Sequence, residues 1–521
     1  MLDRLSGLPL HRFFYITALV LVAIGVCLNK VVMSVGTIML ISSWVLEGEF
    51  AIKWQRIKSS KLFWIGISFF LLHIVGLLWT SDFEYAFHDL RAKLPVLVIP
   101  FVLGSIPSIG KMEFRLVLFS FISSVIITSI FNILISKGYL STSHEIHNFR
   151  DYSYFISHIR FSLMIDFAIF ILVYFSFVDF KKFLVYSPLI LWLLYYSYFS
   201  QIISGFIYLL ILTFLSGVFF AFRSKKIYLK IGVSFISIGL AIGVGIWISS
   251  IVKEFQSIPQ EQVTNPEDFT VNGNPYTHNI EIDVRENGNL IYLHICDEEL
   301  EKEWHKRSEI QIDSVLPGMV LPLRFTLIRY MTGLGYKKDS LGISKLSDED
   351  IQNIIHGYTS PVQAKGGIKA RVIQLLQDVE EWKLEADPNN KTIFQRLSYW
   401  EAGWNIFTSH VIIGVGTGDI QNSFNDYYEK TNSKLHPENR LRSHNQYLSI
   451  AVSFGILGLA VFLIFFFYPI YLSPHPMEYL HFIFIILMCL SFIPEDTLET
   501  QSGISFFALF YSLFLYRKRS A

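Results

Sequence analysis

The chain has 521 residues, of which 52% are hydrophobic and only 17% charged, with 47 Phe and 16% aromatic residues. Ordinary soluble domains carry about 25% charged residues, and the apolar excess here lies in long uncharged runs, which makes a polytopic membrane protein. Lys plus Arg and Asp plus Glu both number 43. That balance excludes a general nucleic-acid binder. Cys27, Cys296 and Cys489 show neither metal-ligand spacing nor a paired framework, and Cys27 and Cys489, which lie in apolar runs, read as packed thiols.

Apolar runs predict spans at 13–28, 31–47, 62–79, 94–108, 116–136, 159–178, 183–200, 202–222, 228–250, 445–468, 480–494 and 502–516, twelve in all at roughly 20 residues each. The first run turns back at Asn29-Lys30 into a second, so no cleavable leader is read there. Basic residues fall in alternate connections: Arg4 and Arg12; Lys53, Arg56, Lys58 and Lys61; Lys111 and Arg115; Lys181 and Lys182; Arg223, Lys225, Lys226 and Lys230; and Arg517, Lys518 and Arg519. With twelve spans these lie on one side, so both termini are expected in the cytoplasm and 251–444 outside. The organisation is 1–250 with nine spans, an external insert at 251–395, a loop at 396–444, and three spans in 445–521.

The connection Trp79 to Lys93 has apolar residues at 83, 86, 87, 90 and 94, a helical spacing suited to the membrane interface. Arg91 and Lys93 close it, either snorkelling to headgroups or holding a lipid diphosphate. His158-Ile159-Arg160 opens the sixth span, where an Arg needs water or a partner. It either snorkels or forms a phosphate clamp. Asp166, deeper in the same span, projects about 120° away from it. Within the insert, Ile280 to Arg285 and Leu290 to Ile295 flank Asn287-Gly288, the signature of a β-hairpin. Ser347 with Asp350 caps a short helix closed by Gly357, and Gly367 to Leu384 reads as an amphipathic helix broken at Asp387-Pro388. His294, His305 and His356 are scattered and form no constellation.

The densest polar pattern spans 395 to 459. It contains Gln395-Arg396-Leu397-Ser398-Tyr399-Trp400, then Gly414-Val415-Gly416-Thr417-Gly418-Asp419, then Arg440-Leu441-Arg442-Ser443-His444-Asn445-Gln446 before an apolar run. The three glycines follow no predicted Rossmann strand, so they read as a tight turn and not as a nucleotide loop. Ser443 and Gln446 fit an S-x-x-Q capping box, with His444 and Asn445 in the first helical turn. A helix N-terminus beside Arg440, Arg442 and Arg396 favours an anion. Phosphate next to a titratable imidazole is the chemistry this junction suggests.

This arrangement of an Arg before Tyr-Trp, a Gly-x-Gly-x-Gly turn and a Ser-His-Asn-x-Tyr-Leu segment leading into a membrane helix resembles the O-antigen ligase family. That family includes related polymerases and protein O-oligosaccharyltransferases. The resemblance implies an all-α, GT-C-like membrane glycosyltransferase that moves a glycan from a polyprenyl-diphosphate carrier to a hydroxyl of the lipid A–core oligosaccharide. The reaction is expected at the periplasmic face of the bacterial inner membrane. His444 is then the expected general base and Arg396 the principal diphosphate ligand, with Arg160, Arg442, Arg91 and Lys93 as further basic contacts. Asn445 and Asp419 would orient His444 or bind sugar hydroxyls. No carboxylate cluster lies near the motif in sequence, so no metal or other cofactor is expected. Relatives often carry a mid-chain Ser-Arg-Gly element, whereas Ser200 to Phe206 has no Arg, so Arg160 or another basic group must substitute. A polymerase or protein-glycosylating enzyme would share the donor. A lipid-linked glycan flippase would instead place charges along a midplane path, and these spans are nearly free of them.

Overall fold

The computed structural model describes residues 9–140, 153–223, 227–259, 265–316, 319, 321–472 and 478–517. Arg4, Lys225, Lys226, Lys518 and Arg519, and most of the third external loop, lie outside the described residues. The N-terminal half is a run of helices: α1 (Leu10–Leu28), α2 (Lys30–Glu47), α3 (Phe50–Ser59), α4 (Lys61–Val75), α5 (Phe83–Ser105), α6 (Lys111–Ser136), α7 (His158–Val178), α8 (Phe183–Ser200), α9 (Ile203–Arg223) and α10 (Ile227–Gln256). The insert and loop carry α11 (Asp297–Arg307), α12 (Leu323–Gly333), α13 (Ser340–Ser344), α14 (Asp348–Ile355), α15 (Pro361–Lys365), α16 (Gly367–Glu385), α17 (Thr392–Ser409) and α18 (Ile420–Lys430). Three apolar helices complete the chain: α19 (Gln446–Leu472), α20 (Tyr479–Ser491) and α21 (Gln501–Tyr516).

Among the described residues, nine helices are long and apolar enough to cross a membrane, and α20 and α21 are shorter apolar helices. The protein is an all-α polytopic membrane protein. The predicted fourth span, 94–108, falls in the C-terminal part of α5, whose first turns hold the interfacial charges and whose interior contains Pro95 and Pro100. One large core joins α1, α2, α4 to α9 and α19 to α21. α21 runs through it with an unbroken buried stretch from Ser502 to Leu515. Its neighbours include α5 and α1, so the connection that enters α21 is held from several sides.

The insert has its own core around Leu300, Trp304, Leu327, Tyr330 and Met331. The expected hairpin is present but short. β1 (Arg285–Glu286) and β2 (Asn289–Leu290) pair antiparallel around Asn287 and Gly288, whose φ values are 51° and 81°, the geometry an Asn-Gly turn supplies. Beyond Leu290 the two segments stay joined by scattered backbone bonds, Ile291 N–H to the Val284 carbonyl at 3.0 Å and Asn279 N–H to the Tyr292 carbonyl at 2.8 Å, and by an antiparallel bridge between Thr277 and Ile295. Ser347 and Asp350 make the expected capping box on α14. α16 leans back onto α10 and α8 of the membrane bundle, and the chain then turns into α17.

Candidate active site

α17 carries Arg396 and α19 begins two residues after His444, and a third small core joins them to α18. Tyr399, Ala402, Ile406, Ile420, Phe424, Tyr428 and Val452 form that core. The glycine turn between α17 and α18 is a packing device. Val415 and Gly416 donate their N–H groups to the carbonyls of Val452 and Ser453 at 2.9 and 2.8 Å. Those carbonyls sit at a kink in α19 where Gly455 has φ 64° and ψ −163°. A Cβ on Gly414 would stand 2.3 Å from the Phe454 nitrogen, so only glycine admits this contact. The turn thereby satisfies the orphaned backbone of the kink.

The capping box expected at Ser443 does not form. Ser443 bonds Asn445 and the Ser449 hydroxyl, while Asn445 Oδ1 accepts the Leu448 N–H at 3.0 Å and caps the helix. The Asn445 side-chain oxygen is thus committed to the backbone. Gln446 turns away from Ser443 to reach Glu499 and the Leu498 N–H. His444 lies outside the helix with φ 46°, a left-handed backbone that non-glycine residues adopt only when their surroundings impose it.

That conformation brings the His444 ring to a carboxylate pair absent from the sequence expectations. Pro494-Glu495-Asp496, in the connection between α20 and α21, places Asp496 Oδ1 3.6 Å from His444 Nδ1. This is an ionic approach longer than a hydrogen bond. The same connection collects the arginines. Glu495 takes Arg396 at 3.2 Å and Arg160 at 3.7 Å, and Arg442 lies 3.5 Å from both Asp496 and Glu499. Arg396, Arg160, Arg442 and His444 therefore converge on one site, although Arg160 is 284 residues from His444 in the chain. Tyr399 supports the imidazole with ring centroids 5.6 Å apart.

Charge decides the protonation of this site. Burial drives the Asp496 carboxyl upward, but His444, Arg442 and Arg160 outweigh it and hold the group well below the usual carboxylate range. Glu495 goes the other way: burial dominates and raises it despite Arg160, His444 and Arg396. Glu499, also buried, is held low by Lys93 and Arg442. Adjacent carboxyls with opposite tendencies are a recurrent feature of acid–base sites.

The expectation that no carboxylate cluster accompanies the motif is corrected here, because ligand atoms of His444, Glu495 and Asp496 lie within 4.8 Å of one another. These three residues could hold a divalent cation. The same carboxylates already face three guanidinium groups, however, so a cation would have to displace them.

Other expected ligands sit elsewhere. Lys93 is fully buried and donates to Asp89 and to Glu499, the latter at 2.7 Å. It braces the acidic connection and is not open to phosphate. Arg91 is exposed on the outer face of α5. Asp419 accepts from the Thr80 hydroxyl and from the N–H groups of Ser81 and Asp82 at 3.1, 2.6 and 3.0 Å, tying the glycine turn to the entrance of α5. Asp166 is buried below the site, and its Oδ2 has no hydrogen-bond partner among the described residues.

Residues 351–463 match the family model described as O-antigen ligase. The chain carries an O-antigen ligase family domain. This domain holds Arg396, the glycine turn, Arg442 and His444, and it places the chain broadly among ligase- or polymerase-type membrane glycosyltransferases. Arg160, Glu495, Asp496 and Glu499 lie outside the match and reach the site only through the fold. No curated protein matches the chain. The signal for the missed acids is visible in the sequence itself: Glu495, Asp496 and Glu499 lie between two apolar helices, and acids beside membrane spans require partners.

Proposed function

We propose that this protein transfers a glycan from a polyprenyl-diphosphate carrier to a hydroxyl of a lipid A–core acceptor, at the periplasmic face of the bacterial inner membrane. The observation that carries the proposal is the convergence of His444 with Arg396, Arg160 and Arg442 around a buried acidic connection. The donor diphosphate enters against Arg396 and Arg160, taking over the contacts that Glu495 makes. The acceptor oxygen attacks the anomeric carbon as His444 takes its proton. The bond from that carbon to the diphosphate oxygen breaks, and the arginines neutralise the charge that grows on the leaving group. Asp496 stabilises the imidazolium as it forms. General-base assistance of this kind is worth about 10²–10⁴ in rate.

The distribution of Lys and Arg supports cytoplasmic termini and an external insert, which puts the site on the face where lipid-linked glycans are presented. No step requires a metal ion in this scheme, so activity should survive chelation by EDTA. Loss of activity on chelation and its return with a divalent cation would instead assign His444, Glu495 and Asp496 as ligands.

The decisive experiment replaces His444 by Ala in the native host and resolves the lipopolysaccharide on a gel at matched protein level. Loss of long chains with accumulation of full-length polyprenyl-linked polymer supports the ligase. A single repeat left on the core identifies a polymerase, which shares the donor. An unchanged ladder with loss of glycan from a glycoprotein identifies a protein acceptor. An unchanged profile in every fraction removes His444 from the mechanism. A flippase is disfavoured because the ion pairs around His444 gather at one end of the bundle and, among the described residues, do not continue as a path through it.

A further inference from the structure

The residues two positions before and two positions after His444 are gripped by one carboxylate. Glu499 Oε1 accepts the Gln446 side-chain amide at 2.9 Å, and Glu499 Oε2 stands 3.5 Å from Arg442. Gln446 is wholly buried. Its own carbonyl oxygen accepts the Leu498 N–H at 2.7 Å, and its backbone N–H donates to the Phe492 carbonyl at 2.9 Å. The entrance of α19 is thus stitched to both ends of the α20–α21 connection. Glu499 is in turn fixed from outside, since Oε2 accepts from Lys93 of α5 at 2.7 Å. Lys93 also donates to Asp89, whose second oxygen lies 4.0 Å from His73 of α4.

Between the two gripped residues, His444 holds its left-handed backbone. Such a conformation relaxes unless neighbouring contacts over-determine it, and Glu499 holds the chain on both sides of His444, beside the bonds of Gln446 to Leu498 and Phe492 and the ion pair of Arg442 with Asp496. Its carboxylate supplies two oxygens to three donors, a role no neutral side chain of the same size can fill.

We propose that Glu499, itself held by Lys93, is a positioning residue for the transfer reaction. It keeps the strained His444 backbone in place and so aims the imidazole into the arginine-lined site. Glu499 touches neither donor nor acceptor in this role. The proposal rests on His444 being the general base and adds what makes that base competent.

The test uses the full-length protein in lipid nanodiscs with a polyprenyl-diphosphate-linked glycan and lipid A–core, measured in single and multiple turnovers. E499Q preserves shape but offers one acceptor oxygen, so it cannot serve both Lys93 and Gln446. Its kcat should fall about 10²-fold, the usual effect of an ångström-scale misplacement of a reacting group, with the KM for donor unchanged within about twofold. E499D, which keeps the carboxylate, should recover part of the rate. In a His444→Ala background, E499Q should cost nothing further, because positioning an absent base has no value. Q446M removes the Gln446 end of the grip, together with the Leu498 N–H bond, without changing charge; its kcat should fall with the same unchanged KM and the same absence of further loss in the His444→Ala background, and it carries the test if E499Q does not fold. A loss of equal size in the His444→Ala background would overturn the proposal, as would a raised KM at intact kcat. Wild-type activity of His444→Ala alone would remove the base assignment and this proposal with it, whereas additive losses remove this proposal alone.

Discussion

Replacing Asp496 by Asn probes the electrostatics of the site most directly. The side chain is buried, with 4% of its surface exposed, and an amide preserves its shape while removing the charge that faces His444 at 3.6 Å. At an effective dielectric of about 20, a unit charge at that separation is worth about 4–5 kcal/mol. The imidazole is 30% exposed, so solvent screening brings the figure to about 2–4 kcal/mol. As His444 accepts the acceptor's proton it becomes a cation, and the lost stabilisation falls on that step. The predicted loss in kcat is about 30- to 1,000-fold. The assay is glycan transfer by purified D496N and wild type in nanodiscs at matched protein level. Arg442 retains Glu499 as a partner, so the fold should survive, and a melting curve checks it. A folded D496N protein with kcat within about threefold of wild type would refute charge stabilisation by this carboxylate.

Three further outcomes are expected. Arg396→Ala should lower kcat by about 10²–10³-fold, the range seen when one donor to a developing anion is removed, and should weaken protection of the protein by inorganic pyrophosphate in a thermal-shift assay. Asp419→Ala should cost about 2–3 kcal/mol of stability through three lost hydrogen bonds to a carboxylate, yet leave the KM and kcat of the folded fraction near wild type, which separates a structural carboxylate from a sugar ligand. In α16, burial first and Glu381 second lift the Asp378 carboxyl to about 6, against the pull of Lys391, Arg371 and Arg329. A raised acid binds more protons folded than unfolded, so its cost appears as pH rises above the unfolded value and is complete above about 6. Asp378→Asn should therefore stabilise the protein at pH 7.5, by about 1–2 kcal/mol after screening, and give nothing near pH 4, as read by chemical denaturation in detergent.

Much of this molecule is written locally. Long apolar runs dictate membrane helices, because an unpaired backbone in lipid is costly whatever surrounds it. The Asn287-Gly288 turn, the Ser347 capping box and the break after α16 are likewise short-range decisions, and each appears where the residues place it. Arg396, Arg442 and His444 were visible as a group because they lie within 49 residues of one another. What local pattern could not decide is which groups oppose them. The Ser443 capping box failed because Gln446 found stronger partners in Glu499 and Leu498, which are 53 and 52 residues away. Lys93 and Asp419 looked like ligands because exposed charge near a membrane usually is available, yet tertiary packing buries one and engages the other. Glu495, Asp496 and Glu499 entered the site only when α20 and α21 returned beside α19. Electrostatic partners act through space at 3 to 4 Å, and nothing in a chain's order records which distant residues will be that close. The residue types and the membrane layout were therefore legible in the sequence, whereas the pairing of charges that makes a site of them belongs to the tertiary structure.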